Sequence, residues 1–210
     1  MPSGTPLIAI VQASPRVLTV QSSLFIAGNS YSGQQDTRFA IVRYGNVMGS
    51  RGSVIPFFLS QADSGVLPIT DTRMTRFMIT LEQGIDLVLH AFADMVGGEI
   101  YVKKIPSMKI VDTASASVPG ARHEIVGIRP GEKLHEQMIS AEDAPHTYEY
   151  VEHYKVLPAI HNWSADIKRI SGGKLVHPDF SYSSDNNSEW MSAEILAHWI
   201  TQNRGKIGNF

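Results

Sequence analysis

The sequence contains no cysteine in its 210 residues, which excludes disulfides, thiolate metal sites and a cysteine nucleophile. That fits a reducing compartment without requiring one, since exported proteins can also lack cysteine. A long apolar run is missing as well. Leu7 to Val11 is too short to span a bilayer, and no Lys or Arg precedes it as a signal peptide would need. The expectation is a cytoplasmic protein with no membrane partner. Neither sign of charge dominates: 18 Lys and Arg stand against 20 Asp and Glu, so no overall field favours nucleic acid, and an anion must be held by a few local arginines. The histidines are scattered, and His135-Glu136 has Ile139 where the zinc-protease pattern needs a second histidine, so no metal site is expected. No Gly-x-Ser-x-Gly elbow and no distinctive carboxylate pair occur.

What is present fits an ordinary globular protein. The chain is 43% hydrophobic and 18% charged, and its length suits one large domain or a domain with a small lobe. Met1 to Ser23 shows no sustained period, although Ile8-Ala9-Ile10-Val11 is a short β-type piece. From residue 24 onward, strands and helices alternate. Leu24 to Asn29 reads as helix end or short strand. Arg38 to Tyr44 is the first firm strand, its Phe39-Ala40-Ile41-Val42 run having the pattern of a strand covered on both faces. Ser53 to Ala62 reads as a helix with Pro56 in its first turn, and Leu67-Pro68-Ile69 as an extended piece.

The strongest helix starts at Thr80, with capping-box spacing to Gln83 and an apolar stripe of Leu81, Ile85, Val88, Leu89, Phe92, Ala93 and Val96 expected to face inward. Gly97-Gly98 stops it and Glu99 to Lys103 is a strand, completing a βαβ crossover with the Arg38 strand. Further on, Lys109 to Ser117 and Lys133 to Ile139 read as helices, Glu124 to Ile128 as a strand, and Thr147 to Val156 as extended or a hairpin. Ser192 to Thr201 reads as a last helix with Ile195, Leu196, Trp199 and Ile200 inward. Tyr148, Tyr150 and Tyr154 read as packing, and Trp163, Trp190 and Trp199 as partly buried anchors.

Three segments bring an arginine to a Gly- or Pro-rich turn. Arg43 to Ser53 leaves the carboxyl end of a parallel strand, where open α/β sheets bind ligands, and offers Asn46, Gly49 and Arg51. Asp71 to Phe77 carries Arg76, and Gly127 to Lys133 carries Arg129 and Glu132. Two guanidinium groups from separate loops suit a diphosphate. Equally open are an Arg76 pair with Asp71 or Glu82, and a solvated turn for Arg129. Glu132 could accept from a sugar hydroxyl or favour a helix N-terminus.

These segments, with Gly98-Glu99-Ile100-Tyr101-Val102, Ile105-Pro106-Ser107-Met108-Lys109, Gly127 to Glu136, and Pro178 to Ser184 with Asn186-Asn187 and Trp190, resemble a known family. It is that of the inverting UDP-N-acetylglucosamine 4,6-dehydratases, the CapD-like polysaccharide-biosynthesis branch of the extended short-chain dehydrogenase/reductases. The resemblance implies an α/β fold, the carboxyl-terminal part of a Rossmann-type doubly wound parallel sheet plus a smaller α+β substrate-binding lobe. It also implies a lyase in which NADP takes a hydride from C4 of a UDP-sugar, water leaves across C5 and C6, and the hydride returns to C6 as C5 inverts. Carried over by position, Val47, Met48, Gly49, Ser50 and Arg51 would line the cofactor. Asn46, Arg76, Arg129 and Glu132 would bind substrate.

The departures set further expectations. No G-x-G-x-x-G loop occurs, and no tyrosine has a lysine four positions later, so no catalytic residue can be named. The chain reads as an atypical leader, residues 1–23, followed by a truncated NAD(P)-binding domain with an interleaved nucleotide-sugar lobe, residues 24–210. As a fragment of such a dehydratase it would be inactive alone; one alternative is a catalytically silent nucleotide-sugar-binding or assembly fragment. A related nucleotide-sugar epimerase is the other alternative. A sheet missing its first strands exposes an edge, which favours a homo-oligomer.

Overall fold

The computed structural model describes residues 6–12, 38–158 and 167–208. The expectations for Leu24 to Asn29 and for Trp163 fall outside them. The strands are β1 (Pro6–Gln12), β2 (Arg38–Tyr44), β3 (Asn46–Val47), β4 (Val66–Ile69), β5 (Thr75–Ile79) and β6 (Ile100–Lys103). After these come β7 (Ser107–Lys109), β8 (Arg122–Ile125), β9 (Gln137–Ile139), β10 (Thr147–Glu149), β11 (His153–Val156) and β12 (Lys174–Leu175). The main helices are α1 (Val54–Ser60), α2 (Leu81–Asp94), α3 (Ile110–Ser117) and α4 (Ala193–Asn203). The chain divides into two interleaved units. The first comprises Met1–Tyr44, Glu82–Lys104 and Gln137–Tyr182, the second Gly45–Leu81, Ile105–Glu136 and Ser183–Phe210.

In the first unit one sheet runs in the order β1-β2-β6-β11-β10-β12. β1, β2 and β6 are parallel, with Ile10 opposite Val42 and Val42 opposite Tyr101, and the remaining three strands continue antiparallel. The apolar run of β2 explains its place inside the sheet: Ala40, Ile41 and Val42 are all buried, so both faces are covered. Within the segment read as an atypical leader, the short apolar run of Pro6–Gln12 takes the edge of β2 and becomes the end strand of the sheet among the described residues. Pairing with an open edge supplies the order that no local period announces.

Helix α2 crosses between the parallel strands β2 and β6, but of the stripe expected to face inward Val88 packs, half-buried, against the core of this sheet while most of the rest faces away. Gly84, Leu87 and Ala91 are buried, and Leu87, Ala91 and Met95 pack against Ala40, Val42 and Tyr101. Leu81, Ile85, Leu89, Phe92 and Val96 are instead 38–60% exposed. Two stripes of helical period compete here, and the one carrying Leu87, Ala91 and Met95 takes the sheet face. Glu99 then ties the chain after the helix, accepting from Val96 N at 3.1 Å and Gly97 N at 2.7 Å while pairing with Arg169 at 2.7 Å.

In the second unit β3 is parallel to β5, β5 antiparallel to β7, and β4 parallel to β8. One core joins Met48, Ile55, Met78 and Met108 to Leu196 and Ile200 of α4; another joins Phe58, Leu67, Ile69 and Met74 to Ile110 and Ala114 of α3. In α4, Leu196 and Ile200 are inward as expected, Trp199 is half-buried, and Ile195 is exposed. Lys133 to Ile139 is not a helix. The carbonyls of Lys133 and Leu134 accept from the Arg76 guanidinium instead of continuing a helical ladder, and residues Gln137–Ile139 form β9. The strand expected over Glu124 to Ile128 is instead β8, Arg122–Ile125, and Ile125 and Val126 are exposed.

Candidate functional site

Backbone packing places the first site residue. A Cβ on Gly45 would lie 2.4 Å from the Phe77 Cβ and 2.6 Å from its carbonyl oxygen, so only glycine allows the chain to enter β3 this close to β5. Asn46 then stands opposite Met78 in the parallel ladder. Within the second unit a pocket of about 440 Å³ opens beside it, a volume ordinary for small-molecule sites. Its apolar wall includes Phe57, Pro68 and Val126, and its polar groups include Asn46, Ser53, Arg76, Arg129 and Glu132. All four residues proposed for substrate thus line one pocket.

The two arginines differ in what they can offer. Arg76 is committed to the protein: Nη1 donates to the carbonyls of Thr75 (2.7 Å) and Leu134 (3.1 Å), and Nη2 to that of Lys133 (3.0 Å). Its carboxylate neighbours are Glu132 at 3.9 Å and Glu136 at 3.7 Å, while Asp71 is taken by Arg73 at 2.8 Å. Arg129 is exposed, and among the described residues no carboxylate lies within 4.0 Å of its guanidinium. It is the pocket's available cation. Glu132 accepts from the Arg129 backbone N–H at 3.3 Å, which shapes the turn, and no helix follows it.

Two residues went unassigned in the sequence reading. The Ser53 Oγ lines the pocket, is buried, and has no hydrogen-bond partner. Glu136, buried behind Arg76, accepts from Phe77 N at 3.1 Å. Burial pushes its carboxyl up to about 7 despite Arg76, Phe77 N–H and Asn46, which pull the other way. No local spacing could have announced either residue.

The segment proposed for the cofactor does not join this lining. Met48 is in the core, and at Gly49 (φ +71°) a Cβ would lie 3.0 Å from Trp199 and 3.1 Å from Ile207, while Gly208 N donates to its carbonyl at 2.8 Å. Val47 lies in β3, which leaves Ser50 half-buried and Arg51 exposed as side chains open to a ligand. Arg43, which begins the same segment, is structural: its Nη1 donates to the Met138 carbonyl at 2.9 Å and lies 3.6 Å from Asp143.

A family model described as "Polysaccharide biosynthesis protein" matches residues 17–158, more than half of the chain. The chain belongs to this family. It is 50% identical over 189 residues to a Campylobacter jejuni protein named UDP-N-acetylglucosamine 4,6-dehydratase (inverting), covering 87% of this chain and 57% of that protein. It is 37% identical over 189 residues to a Rickettsia canadensis UDP-glucose 4-epimerase, covering 88% of this chain and 55% of that one. This polysaccharide-biosynthesis chain therefore spans somewhat over half the length of these curated relatives. A solved structure described as the X-ray structure of Pen from Bacillus thuringiensis matches with a TM-score of 0.81 and 25% identity, covering 95% of this chain and 62% of that one. The fold is α/β of the Rossmann type. No helix among the described residues is long and apolar enough to cross a membrane.

Proposed function

We propose that this chain is the UDP-sugar-binding portion of an inverting UDP-N-acetylglucosamine 4,6-dehydratase, silent in catalysis by itself. The observation that carries the reading is the convergence of Asn46, Arg76, Arg129 and Glu132 on one pocket with Arg129 unpaired. Identity of 50% to a relative of that name supports it over the epimerase reading at 37%.

Arg129 forks onto the diphosphate, and Glu132 accepts from a hydroxyl of the nucleotide. Arg76, already bonded to three carbonyls, holds the Lys133 to Glu136 segment in place behind them. Asn46 and the unpartnered Ser53 hydroxyl meet the sugar end. For NADP, Ser50 and Arg51 fit a phosphate, while Val47 to Gly49 have only backbone to give. NADP when bound supplies the hydride acceptor. The 210 residues hold neither a glycine-rich dinucleotide loop nor a Tyr-x-x-x-Lys pair, so this chain orients a sugar and provides no base. Orientation alone does not break a C–H bond.

The test is incubation with UDP-N-acetylglucosamine and NADP, read by mass spectrometry for a 4-keto sugar. The expected result is bound but unchanged substrate. A 4-keto product would overturn the claim of silence, and an epimerised sugar would favour the epimerase reading.

A further inference from the structure

The charges at the pocket cancel before any ligand arrives. Arg76 and Arg129 bring two positive charges to its lining and Glu132 one negative. A second carboxylate stands directly behind: Glu136 Oε1 lies 3.7 Å from Arg76 Nε, and Glu132 faces the same guanidinium at 3.9 Å. A diphosphate diester adds two negative charges to this balance, beside two carboxylates that already share one guanidinium. Neither Arg76 nor Glu136 can relieve the conflict by moving. Three backbone carbonyls hold the Arg76 Nη atoms. The Glu136 N–H donates to the Ser184 Oγ at 2.9 Å and its carbonyl accepts from Ser184 N at 2.7 Å. Its side chain is 6% exposed, with Oε2 accepting from Phe77 N at 3.1 Å.

The other titratable groups of this segment have outlets of their own. Glu132 is half-buried and can turn to water, Lys133 is exposed, and His135 has its Nδ1 2.8 Å from Thr75 Oγ1. A carboxylate that is buried, held in place and met by an incoming anion is relieved most simply by a proton. We infer that binding of a UDP-sugar in this pocket is coupled to protonation of Glu136, so that the site takes its diphosphate together with a proton. The inference rests on the reading of the pocket as a UDP-sugar site. Burial already raises the free carboxyl to about 7, so the proton is available near neutral pH. An anion that competes for the Arg76 guanidinium raises it further. The complex therefore holds the proton more tightly than the free protein. Affinity is highest below about pH 7 and falls as pH rises above it, until the complex loses the proton as well.

The experiment is calorimetric titration of the full chain with UDP-N-acetylglucosamine, whose diphosphate diester has no group titrating near neutral pH, in pairs of buffers that differ in ionisation enthalpy. The difference in heat between the buffers counts the protons taken up. Wild type should take up about half a proton per ligand at about pH 7.5, and its affinity should fall roughly five- to tenfold between about pH 6.5 and 8.5. Glu136→Gln, a neutral copy of the protonated acid, should take up none and bind equally well across that range. At about pH 8.5 it should bind roughly five- to tenfold more tightly than wild type. Glu132→Gln should still take up a proton. A side chain that merely supports the fold would lower affinity when replaced and leave the proton count unchanged. Binding by wild type with no proton uptake overturns the inference, as does uptake that persists in Glu136→Gln and so belongs to His135 or Glu132. Failure of the wild type to bind at all would instead remove the reading of the pocket itself.

Discussion

Replacing Glu136 with glutamine should remove a stability loss that the native protein suffers as pH rises. The carboxyl has an ordinary value of 4.5 in the unfolded chain, and burial raises it to about 7 in the fold. A raised value means that the folded state binds the proton more tightly, so the contribution is fully present below about pH 4.5 and is lost as pH rises through about 7. At about 1.4 kcal/mol per pH unit between those two values, the loss is about 3 kcal/mol. Urea denaturation of wild type and Glu136→Gln from pH 4.5 to 8 measures it, because groups common to both proteins cancel in the difference. The variant should gain on the wild type by about 3 kcal/mol across this range. Stability curves that run parallel with pH would refute the burial argument. A charged group kept at such a cost, 3.7 Å from Arg76, is more readily explained by a ligand than by folding.

Two further predictions address the fold. Leu87→Ala should cost about 2–5 kcal/mol in urea denaturation, and Leu89→Ala, on the exposed stripe of α2, less than about 0.5 kcal/mol; the reverse order would contradict the facing of that helix. Gly45→Ala should destabilise by about 1–3 kcal/mol, since the new Cβ meets Phe77 side chain and backbone together, and should weaken UDP-sugar binding through Asn46. An unchanged thermal midpoint with unchanged binding would contradict the close approach of β3 to β5.

The elements most legible in the sequence were those whose pattern has one solution. The continuous run in Arg38–Tyr44 permits only a covered strand, and Gly97-Gly98, at φ +127° and +92°, ends α2 as its sequence suggests. The facing of α2 was misread because the larger side chains of one stripe outweigh, in the sequence, a seam built from Leu87, Ala91 and Met95. Lys133 to Ile139 was misread because its carbonyls are spent on Arg76, some 57 residues away in sequence. Asn46, Arg76, Arg129 and Glu132, named from their motifs, line one pocket. That Arg76 is bound up and Arg129 is not, and that Glu136 stands behind Arg76, are tertiary facts that no local spacing encodes.

The most direct test of the central claim is calorimetric titration of UDP into wild type and Arg129→Ala. The wild type should bind, and removing the exposed, unpaired guanidinium should weaken affinity by roughly tenfold or more, with the thermal midpoint unchanged. No heat of binding in the wild type, or equal affinity in the two proteins, would contradict the assignment of this pocket to a nucleotide diphosphate.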